Sequence, residues 1–291
     1  MAQRYIQPAA PPSEQTFQKD LFVGKVVLST GGRSGIVNKM IRMMMKHGAD
    51  SVIIGRNGPE NAKAAQQLST ETGRTCLPVQ ADVRKPEDLK AAAKACMDKF
   101  GRLDFVICAL LFRSLAPISG LSENAFKTVI DIDLLGTYNT IKATIPYVRQ
   151  SRGSYIHISA TLHYRGLPYQ AHVSAAKAGV DALSQVLAVE EGPHGVRSNV
   201  IAPGPIGGTP GMERLSPKGD KSIEAVPLGR MGDGDEIATM GMFLFSKAAT
   251  WITGQIFVVD GGEHHVRLPA LAYPESVLDP AKVKSLIAAR L

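Results

Sequence analysis

Short apolar, β-branched runs alternate along this chain with stretches whose apolar residues recur every three or four positions. The first run, Lys25 to Ser29 (KVVLS), leads through a glycine cluster into a helical pattern. That pattern keeps Ile36, Met40, Met43, Met44 and His47 on one face and stops at Gly48, so the methionines read as a core-facing stripe. Further strands are predicted at Ser51 to Gly55, Cys76 to Ala81, Phe105 to Ala109, Tyr155 to Ser159, Arg197 to Ala202 and Gln255 to Val259. Helices are predicted at Asn61 to Glu71, Pro86 to Phe100, Glu123 to Arg149, His172 to Glu191 and Asp233 to Leu244. Strands that are apolar throughout, separated by amphipathic helices, require a parallel sheet covered on both faces. The expectation is one doubly wound α/β domain with a seven-stranded parallel sheet over residues 21–265, and no internal repeat. Residues 1–20 read as a flexible, proline-dotted arm and 266–291 as a C-terminal extension.

Composition narrows the class. With 44% hydrophobic and 20% charged residues in 291, the chain has material for a packed core and is not disordered. No apolar run approaches the roughly 18 residues of a membrane span, and Met1 to Asp20 has no signal-peptide core. Cys76, Cys96 and Cys108 form neither a zinc pattern nor a disulfide framework, so no metal is expected and the chain reads as soluble and intracellular. The net charge of +7 is spread without a basic cluster, which argues against nucleic acid and suits phosphate-bearing ligands.

Candidate chemistry gathers at strand ends. The turn Thr30-Gly31-Gly32-Arg33-Ser34-Gly35-Ile36 joins the first strand to the first helix, where a tight turn brings backbone to a pyrophosphate at a helix N-terminus. Arg56 stands at the end of the second strand, where an acid would select NAD; an arginine matches the 2′-phosphate of NADPH, and Arg33 adds a second charge. The competing reading makes both solvated surface arginines. Asp82, after the third strand, is placed either to bond an adenine amino group or to cap the following helix. After the sixth strand, Pro203-Gly204-Pro205-Ile206-Gly207-Gly208-Thr209 forms a rigid turn, followed by a Gly/Pro/Lys-rich stretch to Val226 that reads as a lid over about 207–226.

These segments together resemble the short-chain dehydrogenase/reductase superfamily, a Rossmann-like fold, over about Phe22 to Gly262. The motifs are TGG-x-SG, Asp82-Val83, the IAPGPI turn and the closing Val258 to Gly262 (VVDGG). Within it the chain is most similar to peroxisomal 2,4-dienoyl-CoA reductases, through Asn124 to Asn139, Ser159 to Leu162, Ala171 to Leu183 and Ala202 to Leu215. The resemblance implies NADPH-dependent reduction of a conjugated dienoyl-CoA or a related polyene, in a homodimer or homotetramer. Cofactor contacts are implied at Gly31, Arg33, Ser34, Gly35, Ile36, Arg56, Asp82, Val83, Cys108, Lys177, Pro203, Gly204, Ile206 and Thr209. The superfamily's Tyr-x-x-x-Lys pair is incomplete: Lys177 is present, Val173 replaces the tyrosine, and Ala160 stands about where the superfamily serine would be. The dienoyl-CoA reductases pair an aspartate with the lysine, and that aspartate matches Asp133, with a water held by Asp133 and Lys177 protonating carbon. Two positions apart on a helix, Asp131 and Asp133 point about 200° apart, so one of them faces the site.

The resemblance breaks after the fourth strand. Where the family has small residues, the chain reads Cys108-Ala109-Leu110-Leu111-Phe112-Arg113-Ser114, and Val37 replaces a loop glycine. Either these side chains turn into the core or they alter the nicotinamide pocket. The second outcome leaves an alternative function: a reductase-derived protein doing non-redox isomerisation or cyclisation, or binding only. The chain ends Ala289-Arg290-Leu291, matching the property pattern of a peroxisomal address read by an import receptor. Val283, Leu286, Ile287 and Leu291 also fit an amphipathic terminal helix.

Overall fold

A computed structural model describes residues 6–109, 115–209, 212, 226–266 and 278. The loop from Leu110 to Ser114, most of the expected lid, the terminal helix pattern and the Ala289 to Leu291 tripeptide lie outside the described residues.

Seven parallel strands form one sheet in the order β3-β2-β1-β4-β5-β6-β7. They are β1 (Val26–Thr30), β2 (Asp50–Gly55), β3 (Cys76–Gln80), β4 (Phe105–Cys108), β5 (Ser154–Ile158), β6 (Arg197–Pro203) and β7 (Ile256–Val259). In register, Leu28 lies between Val52 of β2 and Val106 of β4. The strand order reverses between β1 and β4, and ligands of open α/β sheets bind at the carboxyl end of such a reversal. There the Ala109 N–H donates to Thr30 Oγ1 at 3.1 Å, tying the two strand ends together.

Helices α1 (Gly35–Lys46), α2 (Gly58–Thr72), α3 (Pro86–Phe100), α4 (Glu123–Val129), α5 (Gly136–Ser151), α6 (Ala171–Glu191) and α7 (Gly234–Phe245) cover both faces. On one face Met40, Ile41 and Met44 of α1 meet Ile237 and Met242 of α7 over Ile53, Ile107 and Ile156. Each such fully buried side chain contributes about 1.5–3 kcal/mol relative to exposure. On the other face Leu89 and Cys96 of α3, Ile141 and Val148 of α5 and Leu187 of α6 pack over Val52, Val106 and Tyr155. Burial drives the thiols of Cys76 and Cys96 up to about 11 and about 12, and Cys108 higher still, which leaves all three inert.

Two expectations need correction. The helix predicted from Glu123 to Arg149 is interrupted by a wide, π-type turn at Ile130–Leu135. No glycine or proline in Ile130 to Leu135 announces it; the wider turn lets Val129 before it and Thr137, Thr140 and Thr144 of α5 after it all stay buried. The N-terminal segment, expected as a free arm, is anchored over much of its described part. His47, buried at the C-terminus of α1, donates from Nδ1 to the Gln18 carbonyl at 2.6 Å and has Ser13 Oγ 3.0 Å from Nε2. Without those partners a buried imidazole would carry unsatisfied nitrogens. Further up the chain, Arg230 donates to the carbonyls of Gln7 and Pro8 at 2.7 and 2.9 Å.

Candidate active site

The carboxyl ends of β1, β2, β4, β5 and β6 surround a cavity of about 410 Å³. Its floor is the glycine turn. Gly31 has φ +81°, and a Cβ there would meet the Ala109 carbonyl oxygen at 2.8 Å, so the turn admits only glycine without strain. Asn38 of α1 braces the turn by donating to the Gly32 carbonyl at 3.0 Å. Ser34, the N-cap of α1, uses no side-chain cap, which leaves the first N–H groups of the helix directed at the cavity.

Arg33 and Arg56 stand together at one rim, exposed, and also border an adjoining recess with Gly58 and Gln80. The Arg56 backbone is held by Gln80, whose Nε2 donates to its carbonyl at 3.1 Å. The opposite wall is the turn after β6. Gly204 donates to the Val259 carbonyl, and a Cβ on it would collide with Asp260. Thr209 Oγ1 donates to the Ile206 carbonyl at 2.9 Å and accepts from the Met212 N–H at 3.2 Å, holding the start of the next segment.

The two candidate chemical groups are paired at this site, Lys177 on the cavity wall and Asp133 off it. Lys177 of α6 is 2% exposed and donates from Nζ to the Ile158 carbonyl at 2.9 Å. Asp133 is fully buried, with Oδ2 3.9 Å from Lys177 Nζ. Asp131 points away and pairs with Lys127 at 2.5 Å on the surface. Val173 is buried in a small apolar cluster with Val129 and Ala176, so no phenol reaches this end from the superfamily tyrosine position. The cavity wall at 160 is a methyl group, Ala160.

Of the residues singled out in the sequence, Gly31, Arg33, Ser34, Gly35, Ile36, Arg56, Val83, Lys177, Pro203, Gly204, Ile206 and Thr209 line this one cavity. Two do not. Cys108 is buried beneath it, because strand alternation turns its side chain into the α3/α5 layer, and Ala109 reaches the wall instead. Asp82 is neither on the wall nor the cap of α3, whose N-cap is Lys85. Arg84 holds the Asp82 carboxylate at both oxygens and lowers its pKa to about 2. Ile54, Ile132, Ile158, Ser159 and Met212 line the cavity without having been anticipated. Only their positions at strand and helix ends distinguish them in sequence.

The cradle at Gly31, the open N-terminus of α1 and the paired arginines fit a dinucleotide carrying phosphate groups. Among the described residues no cluster of His, Cys, Asp or Glu is placed to hold a metal ion, and no helix is long and apolar enough to cross a membrane.

A single parallel sheet with a glycine cradle at its reversal point and a buried lysine on the helix after β5 defines a nicotinamide-dependent oxidoreductase fold. The family model described as enoyl-(acyl carrier protein) reductase matches residues 31–264, and the chain belongs to the short-chain dehydrogenase/reductase family. It is 42% identical over 259 residues to the peroxisomal 2,4-dienoyl-CoA reductase of Saccharomyces cerevisiae, covering 87% of this chain and 89% of that one. It is 44% identical over 250 residues to the peroxisomal 2,4-dienoyl-CoA reductase of Danio rerio, covering 84% and 83%. Among solved structures it superposes on carveol dehydrogenase from Mycobacterium avium in complex with NAD, with TM-score 0.77 and 26% identity, over 84% of this chain and 99% of that one.

Proposed function

We propose that this chain uses NADPH to reduce a conjugated 2,4-dienoyl-CoA thioester to the 3-enoyl thioester. The observation that carries this reading is the buried Asp133–Lys177 pair, whose lysine lines the cavity, with valine at the tyrosine position. The printed names of the two curated relatives, which end in "(3E)-enoyl-CoA-producing", support the product.

When bound, the cofactor supplies a hydride. The glycine turn and the N-terminus of α1 would hold its pyrophosphate, Arg33 and Arg56 its 2′-phosphate, and Lys177 its nicotinamide ribose. The protein's own task is the proton. Addition of hydride at Cδ of the dienoyl group pushes negative charge onto the thioester oxygen, and protonation at Cα leaves the double bond between Cβ and Cγ. A neutral phenol acid is absent at 173, so the proton comes from a water oriented by the Asp133 carboxylate and the Lys177 ammonium. Burial strengthens both contacts, because no bulk water competes for them.

The test is the loss of NADPH absorbance on mixing the full chain with 2,4-hexadienoyl-CoA, with NADH as the comparison. Oxidation dependent on the thioester, with 3-hexenoyl-CoA as product, is the expected result; tight NADPH binding without oxidation overturns the reading. Peroxisomal location is supported by the names of the relatives, and an N-terminal fluorescent fusion of the full chain is expected in peroxisomal puncta.

A further inference from the structure

Ser159 lies just beyond β5, 5% exposed, and lines the cavity beside Ala160 and Lys177. Its Oγ has no hydrogen-bond partner among the described residues. A buried hydroxyl is rarely left so, and one on a cavity wall meets what the cavity holds. Strand alternation fixes where it points. Tyr155, His157 and Ser159 share one side of β5. Tyr155 meets Thr144 of α5 at 2.9 Å, and His157 meets Ser198, which in turn bonds Ser184 of α6. Ser159 therefore faces α5 and α6, the side on which Asp133 and Lys177 lie. One peptide earlier, the Ile158 carbonyl accepts from Lys177 Nζ. The 3.9 Å between Lys177 and Asp133 is longer than a direct hydrogen bond and short enough for one water to bridge.

We propose that Ser159 is the positioning residue for the proton-donating water, its hydroxyl serving as that water's third hydrogen-bond partner beside Asp133 and Lys177. The chemistry rests on the dienoyl-reduction reading above. In the step, an O–H bond of the water breaks and a Cα–H bond forms with the electron pair of the dienolate. The hydroxide left behind takes a proton from Lys177, which regains one from solvent. A hydroxyl both donates and accepts, so Ser159 stays bonded before and after the transfer. The methyl of Ala160 offers neither bond.

The experiment pairs crystal structures with kinetics for the full chain, Ser159→Ala and Ser159→Thr. An ordered water is expected about 2.7–3.2 Å from Oγ and also bonded to Asp133 or Lys177, present in the wild type and Ser159→Thr and lost in Ser159→Ala. With 2,4-hexadienoyl-CoA, Ser159→Ala is expected to lower kcat roughly tenfold to a hundredfold with a larger solvent deuterium isotope effect. Both KM values stay within about twofold, and threonine restores the rate. The proposal is overturned if Oγ bonds a protein atom, or a cofactor or thioester carbonyl, in place of water. It is equally overturned if the Ser159→Ala loss lies in KM with the isotope effect unchanged. A chain that holds this water yet reduces no dienoyl thioester overturns the functional reading alone.

Discussion

Lys177 and Asp133 meet at 3.9 Å with both side chains almost wholly out of solvent. At that separation opposite charges attract by about 4 kcal/mol in surroundings of intermediate polarity, so each helps hold the other in place. Removing one strands the other, at a stability cost of about 3–5 kcal/mol.

Asp133→Ala and Lys177→Ala should therefore each lower turnover about a hundredfold, the scale of a positioned proton-transfer group. Asp131→Ala, which breaks only a surface pair with Lys127, should stay within about twofold of wild type. Steady-state rates, taken alongside thermal melts to confirm folding, check both. If Asp131 proves the sensitive position, the assignment of helix faces is wrong.

Arg56→Ala should weaken NADPH binding by about 1.5–3 kcal/mol and leave NADH within error, because only the former carries the 2′-phosphate. Fluorescence titration with both cofactors decides this. Equal losses would show that Arg56 does not read the phosphate.

Gly31→Ala should destabilise the fold by about 1–2 kcal/mol through the left-handed backbone alone. It should also weaken dinucleotide binding, since the new methyl would press on the Ala109 carbonyl at 2.8 Å. Urea unfolding and cofactor titration measure the two effects separately; wild-type values in both would contradict the described turn.

His157 gives a pH dependence. Burial holds its pKa down at about 3, against an ordinary value of 6.5. Between those values the unfolded chain binds a proton that the folded chain refuses, so stability is full above pH 6.5 and falls as the pH drops towards 3. At pH 5.5 this one group should cost about 1.4 kcal/mol relative to pH 7.5. Urea midpoints at both pH values, for the wild type and His157→Gln, test it. The variant should lose that component, and an equal slope in the two proteins would remove His157 as its source.

The fold was legible because its signals are local. The β-branched runs of β1 and β2 and the methionine stripe of α1 state their own period, and most predicted ends lie within one to three residues of the observed ones. That Gly31 and Arg56 would share one cavity wall was legible because both stand at strand ends. Ser159 and Ile132 were not, since nothing in a serine or isoleucine shows which wall it will join. Cys108 was misplaced by one residue, and in a strand one residue is a change of face. The anchoring of the N-terminal segment depends on His47 and Arg230, whose distance in sequence from Ser13 and Gln7 hides the pairing.

The wide turn at Ile130–Leu135 makes the stretch from Glu123 to Ser151 a screw with a break in its thread. Side chains before and after it obey two different phases, and their agreement depends on the number of residues between them. Deleting one residue there would restore a regular thread and rotate one half against the other by about 100°. Val129 before the turn and the inward threonines of α5 after it could then no longer face the interior together. Over this span the chain can exchange residue types far more readily than it can change length. A relative that is one residue shorter here would need a differently packed Val129.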